Sequence, residues 1–215
     1  PNLHTLSVSG GKGMLDAADF CAFPSTLTSL ALDLRGSFVP TAVLPRSLTH
    51  LQARVDVESE SEICALPPNL TSLQSYCPTI PTSMFKHLPR SLKKIDPTIH
   101  CLLETEIVES LPPALELVRL KSFTNPSALR LLSPELKTLQ AHLTYSDDRP
   151  AVWTSEHLRA LPKKLLRFKT MNFLADWASI SSSDWPSSMV SLHVRALQPL
   201  EPSELAKLPS TLTTM

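Results

Sequence analysis

The chain has 215 residues, 20 Lys+Arg against 20 Asp+Glu, 42% hydrophobic residues and a sequence pI near 7.4. It is too apolar for intrinsic disorder, and its balanced charge removes a whole-protein attraction to nucleic acid or an anionic membrane. No stretch approaches the roughly 18 apolar residues of a membrane span, and four Cys without a CxxC make neither a disulfide scaffold nor a zinc ribbon.

In chain order, the first predicted element is a short strand in NLHTLSVS, followed by SGGKG at Ser9 to Gly13. That run lacks the GxxxxGK[ST] spacing of a phosphate loop and reads as a glycine turn. From there the 20 prolines mark out the chain. The segments around them read FPSTLTSL from Phe23, LPRSLTHL from Leu44, LPPNLTSL from Leu66, LPRSLKKI from Leu88 and LPPALELV from Leu111. They continue as LSPELKTL from Leu132, LPKKLLRF from Leu161, WPSSMVSL from Trp185 and LPSTLTTM from Leu208.

One motif, LPxxLxxL, therefore returns nine times, with a partial copy at NLHTL. Its central residue falls at Leu3, Leu27, Leu48, Leu70, Leu92, Leu115, Leu136, Leu165, Met189 and Leu212, at spacings of 24, 21, 22, 22, 23, 21, 29, 24 and 23. The leading, central and third-following positions are apolar in all 29 instances. At 42% apolar composition that has a chance on the order of one in 10^11. A period of 20 to 29 residues built on LxxL predicts a solenoid rather than a globule.

Each coil then follows from backbone sterics. Proline fixes its own φ and drives the preceding residue out of the helical region, so a crossover must end there and become extended. Beyond the central residue, Leu30, Leu32, Leu34 and Leu139, Ala141, Leu143 alternate with the period of two of a strand. Strands one repeat apart and running the same way should pair in parallel through right-handed crossovers. Seven residues before the centre stands an apolar residue (Phe20, Ile63, Phe85, Val108, Leu129, Leu158, Leu205), with Thr41 and Ser182 as exceptions. Segments such as DAADFCAF, TSMFKHL, ETEIVESL, NPSALRLL, TSEHLRAL and EPSELAKL start with caps or Pro and predict one or two helical turns there. The expected fold is an α/β right-handed solenoid with a parallel sheet on its concave face and short helical or irregular convex segments. It has nine to ten repeats of 21–29 residues and forms one domain over 1–215.

The pattern resembles the leucine-rich repeat superfamily along essentially the whole chain. The LPxSLTxL versions from Leu44, Leu66 and Leu208 look most like FNIP-type repeats, and the LPxxL repeats of bacterial effectors are the second resemblance. It departs from both. Eight residues past the centre, where standard repeats ladder Asn or Cys, stand Gly11, Arg35, Asp56, Pro78, His100, Phe123, Thr144, Phe173 and Leu197. The resemblance implies a protein partner bound along the concave sheet.

Residues two, four and six past the centre should face outward from that sheet. Among them are Arg54, Tyr76, Lys94, Arg119, Lys121, His142, Arg167, Lys169, His193 and Arg195, the candidate partner-binding set. Seven positions of these columns are Lys or Arg and two, Asp33 and Asp96, are acidic. A basic face predicts an acidic protein partner, against the plainer reading that any solvated sheet carries some Lys and Arg. The 29-residue spacing holds an insertion, LTYSDDRPAVW from Leu143, in which Tyr145, Asp147, Asp148 and Arg149 are candidate recognition residues or simply a tolerated loop. Trp153, Phe168, Phe173, Trp177 and Trp185 are expected to fill the core of the longer coils.

No catalytic grouping is found, so no enzyme is expected, no cofactor and no metal. The alternate acidic residues Asp56, Glu58, Glu60 and Glu62 lack a calcium-loop pattern and read as a solvated face. Cys77, His100 and Cys101 lie about one repeat apart and either approach one another or fill turns, while Cys21 and Cys64 are expected in the core. The chain starts and stops inside repeats without polar caps, which predicts a piece of a longer protein or end-to-end self-association. Unpaired Cys point to a reducing, cytoplasmic setting, while the sequon Asn69-Leu70-Thr71, at the start of a predicted strand, is weak evidence for secretion. The expected function is a non-enzymatic interaction scaffold. The alternatives are the substrate-recognition segment of a larger enzyme or secreted effector, and a self-associating structural repeat.

Overall fold

The computed structural model describes residues 2–9, 20, 22–33, 38–55, 57, 59–75, 82–103, 105–123, 126–143, 152–196 and 198–214. Contacts divide the chain into two units, Pro1–Thr98 and Ile99–Met215. In each, parallel strands in chain order are returned by short crossovers, which is the leucine-rich-repeat solenoid fold.

In the first unit the strands are β1 (Thr5–Ser9), β2 (Ser29–Asp33), β3 (His50–Ala53), β4 (Ser72–Ser75) and β5 (Lys94–Leu103), whose last residues run into the second. Register is fixed by the repeat, with Ser29 beside His50, His50 beside Ser72 and Ser72 beside Lys94. Each proline opens a tight turn in which the central residue's N–H donates back to the proline carbonyl. Leu27 reaches Pro24 at 3.0 Å, and Leu48, Leu70 and Leu92 reach Pro45, Pro67 and Pro89 at 3.1 Å. The turn points the central side chains inward, and all four are fully buried.

Two ladders of hydroxyls tie successive coils together. One residue before the centre, Ser47 Oγ donates to the Leu27 carbonyl at 2.6 Å and Ser91 Oγ to the Leu70 carbonyl at 2.7 Å. One residue after it, Thr28, Thr49 and Thr71 donate to the carbonyls of His4, Thr28 and Thr49 at 3.0–3.1 Å. The carbonyls of His4, Thr28 and Thr49 also accept two backbone N–H each, so the Thr hydroxyls add a further bond there, and each hydroxyl bond contributes about 0.5–1.5 kcal/mol. Ser91→Ala, which also removes a bond to the Pro68 carbonyl at 2.8 Å, should cost about 1 kcal/mol in urea unfolding; no change in the midpoint would show the ladder to be without consequence.

The crossovers are 3-10 turns at Thr41–Val43 and Thr82–His87 and an α-helix at Glu60–Cys64. The helix is closed by a capping box: Ser59 N–H donates to Glu62 Oε2 at 2.8 Å, and Glu62 N–H to Ser59 Oγ at 3.4 Å. Phe20, Ile63 and Phe85 are buried at the position seven before the centre, and Thr41 is buried in the same place. Cys64 corrects the expectation of a core thiol, for it is exposed. Ile63 takes the inward position of that helix, and the next residue, about 100° further round, faces out.

The second unit holds β6 (Leu117–Phe123), β7 (Thr138–Leu143), β9 (Arg167–Ala175) and β10 (Ser191–Ala196) in that order, with β8 (Val152–Trp153) paired on the far end of β9. Helices at Thr105–Ser110, Pro126–Arg130, Ser155–Ala160 and Pro202–Leu205 and a 3-10 turn at Ser182–Asp184 form the crossovers. The hydroxyl ladder persists at Ser188, whose Oγ donates to the Leu165 carbonyl at 2.8 Å. At equivalent positions elsewhere ion pairs span the coils: Lys137 Nζ meets Glu116 at 2.8 Å and Lys164 Nζ meets Glu135 at 2.6 Å. The hydrogen bond and charge of Glu116 hold the Lys137 ammonium above its usual range.

Two bulges interrupt the alternation. Between Leu120–Ala141 and Phe123–Leu143, two residues of β6 face one of β7; between Thr170–Val194 and Phe173–Ala196, Met171 and Asn172 face Arg195 alone. The second bulge sends Phe173, at the usual Asn position, into the core, where it is 2% exposed. There Trp153 lies 5.2 Å from Phe168, edge to face, and 6.0 Å from Phe173; Trp177, 6.0 Å from Phe173, is half-buried and not in the core as expected. Trp185 is also buried, with its indole N–H donated to the Lys207 carbonyl at 3.1 Å.

Two titratable groups are tied into this packing. Asp184 is 1% exposed and accepts from Arg159 Nε at 2.7 Å and from the Ser181 N–H at 2.8 Å. Burial opposes its charge, but those donors outweigh it and hold the carboxyl below the usual range. His157 Nδ1 accepts from the Thr154 N–H at 3.3 Å and lies 2.9 Å from Thr154 Oγ1, so the neutral ring caps the helix. Burial lowers its pKa, against the charge of Glu156. The unfolded chain then takes up a proton that the folded unit resists, so the contribution of His157 is complete above about pH 6.5 and is lost as pH falls through the lower folded value. Thermal melts of His157→Gln should fall less steeply between pH 7 and 5 than those of wild type; parallel profiles would remove His157 from the account.

Candidate interaction surface

The first two outward columns lie, among the described residues, where period-two alternation puts them. Inward neighbours Leu30, Leu51, Leu73, Ile95, Val118, Leu139, Phe168 and Leu192 are buried. Lys94, Arg119, Arg167, Lys169, His193 and Arg195 are exposed. Parallel register aligns these positions sideways, Gln140 beside Lys169 and Lys169 beside His193, with Thr138 beside Arg167. Laterally the strands are about 4.8 Å apart, and Arg167 and Lys169 sit about 7 Å apart along β9.

The two units differ in charge. In the first, Asp33 and Asp96 share the outward columns with Lys94, and Asp96 accepts from Gln74 Nε2 at 3.3 Å. Arg54 is half-buried, its guanidinium 4.9 Å from the centre of the Phe38 ring, a cation–π contact that occupies its charge. In the second unit no acidic residue stands in the columns, and Arg167, Lys169 and Arg195 have no acidic partner among the described residues. Arg195 is set apart by the bulge, with no Cα partner in β9, so the third column is not the continuous file that strict alternation predicts.

Of the other candidates, Lys121 and His142 fall in β6 and β7, with side chains outside the described residues. Tyr76, Tyr145, Asp147, Asp148 and Arg149 lie outside the described residues altogether, as do Gly10 to Gly13, Cys21, Asp56, Glu58 and Cys77. The side chains of His100 and Cys101 do as well. Sequence reasoning missed β8 and the bulges. Val152–Trp153 carries too few residues to show a period, and a bulge leaves the repeat spacing intact. Among the described residues no helix is long and apolar enough to cross a membrane.

The chain is similar in structure to internalin InlF of Listeria monocytogenes, with a TM-score of 0.62 at 14% identity over 99% of this chain and 66% of that one. It is also similar to CroV588, a circular leucine-rich-repeat protein, with a TM-score of 0.51 at 19% identity over 90% of this chain. It spans only 27% of the length of CroV588. No family model and no curated protein matches the sequence. At these identities the likeness concerns the fold.

Proposed function

We propose that residues 1–215 form a non-enzymatic interaction scaffold whose outward sheet face docks an acidic protein partner, chiefly through the second unit. The observation that carries the reading is the group Arg167, Lys169 and Arg195, exposed on one sheet face without acidic partners among the described residues, joined by His193 and Arg119. Arg167, Lys169 and Arg195, with no acidic partner among the described residues, retain their field for an incoming surface, which speeds encounter and selects against basic partners. Both units carry the same motif, and the spacing of 23 residues from Leu92 to Leu115 across the boundary at Thr98 is close to the 22 before it and the 21 after it, which supports treating them as one repeat domain.

A photo-crosslinking residue in place of Gln140 tests the docking face, with one in place of Glu106 on a crossover as control. Acidic proteins captured from the native cell extract at Gln140, absent at Glu106 and lost at high salt, are the expected outcome. Equal capture at both positions would sink the reading.

A further inference from the structure

We propose that Glu60, Cys64 and His87 form a zinc-class divalent metal site that clips two successive crossovers of the first unit together. Glu60 and Cys64 stand four residues apart on the helix Glu60–Cys64 and therefore share a face. His87 closes the 3-10 turn of the next coil. One ligand atom from each lies within 4.8 Å of the others. His87 Nε2 is buried without a hydrogen bond, 3.1 Å from Glu60 Oε1, while the Glu60 side chain is 67% exposed. The Cys64 thiol makes no hydrogen bond among the described residues.

The donor set selects the metal. Tetrahedral ligation with arms of about 2.0–2.3 Å puts ligand atoms about 3.3–3.8 Å apart, so side-chain rotation of about 1 Å closes the group. Thiolate, imidazole and carboxylate together suit Zn²⁺ and disfavour Mg²⁺ and Ca²⁺, which take oxygen ligands. Thiolate and carboxylate supply two negative charges against the two positive ones of the ion. Three protein ligands leave the fourth position to water. Metal binding takes the thiol as thiolate and releases its proton. Glu62 is held by the Ser59 cap on the same helix, which leaves Glu60 as the carboxylate for the site.

The test is a Co²⁺ titration of the full 215-residue chain, followed by displacement with Zn²⁺. A thiolate-to-cobalt charge-transfer band should appear with one equivalent and vanish as Zn²⁺ is added. Cys64→Ser should abolish the band, and His87→Ala should weaken Zn²⁺ binding at least tenfold. A variant with Cys21, Cys77 and Cys101 all replaced by Ser should keep both. Saturating Zn²⁺ should raise the melting temperature of wild type and leave that of Cys64→Ser unmoved. Absence of the band in wild type, or its survival in Cys64→Ser, overturns the proposal. If the triple variant fails to fold, Cys64→Ser and His87→Ala decide alone, since an exposed thiol and a half-buried ring are replaced without opening the core.

Discussion

Phe85→Ala should destabilise the first unit by about 4 kcal/mol, whereas Leu205→Ala, at the same position of its own repeat, should cost less than about 1 kcal/mol. Both residues stand seven before a central Leu, yet Phe85 is fully buried and Leu205 is 41% exposed. In a stacked array an apolar side chain is covered by its neighbouring coils, so its worth depends on what packs against it and not on its place in the motif. A loss of 4 kcal/mol is a large part of the 5–15 kcal/mol that holds an ordinary domain. Urea unfolding followed by circular dichroism gives both numbers. Equal costs would mean that the motif, and not burial, sets the energetics.

Reversing Arg167, Lys169 and Arg195 together to Glu should weaken partner binding at least a hundredfold, about 2.7 kcal/mol, with unfolding unchanged. These three are the apt targets because none has an acidic partner among the described residues to be disturbed, and all are exposed. Reversal turns attraction into like-charge contact, which costs several kcal/mol across an interface. Wild-type binding should also fall with ionic strength as the Debye length shrinks, and that of the variant should not. Binding that survives reversal and ignores salt would leave the basic face a merely solvated one.

Much of this was legible in the residues because the controlling forces are local. At Pro24, Pro45, Pro67, Pro89 and Pro162 the proline closes a turn through its own carbonyl, and that turn buries Leu27, Leu48, Leu70 and Leu92 while Lys94 and Lys169 lie exposed. The hydroxyl ladder was also in view, in the recurring Ser/Thr on either side of the central Leu, although only the distances to the preceding carbonyls give it a role. At Glu116–Lys137 and Glu135–Lys164 the signal is a charge pair one repeat apart, readable only once the register is known.

The sequence by itself determined the repeat, the turns, the parallel strands and which side chains face in, because proline's fixed φ and the two-residue period of a strand act within a few residues. Only the tertiary structure decided the bulges that isolate Arg195 and bury Phe173, the pairing of β8, the exposure of Cys64 and its approach to His87. Those depend on how far one coil is displaced against the next, a distance set by packing between residues more than 20 positions apart that no local preference encodes.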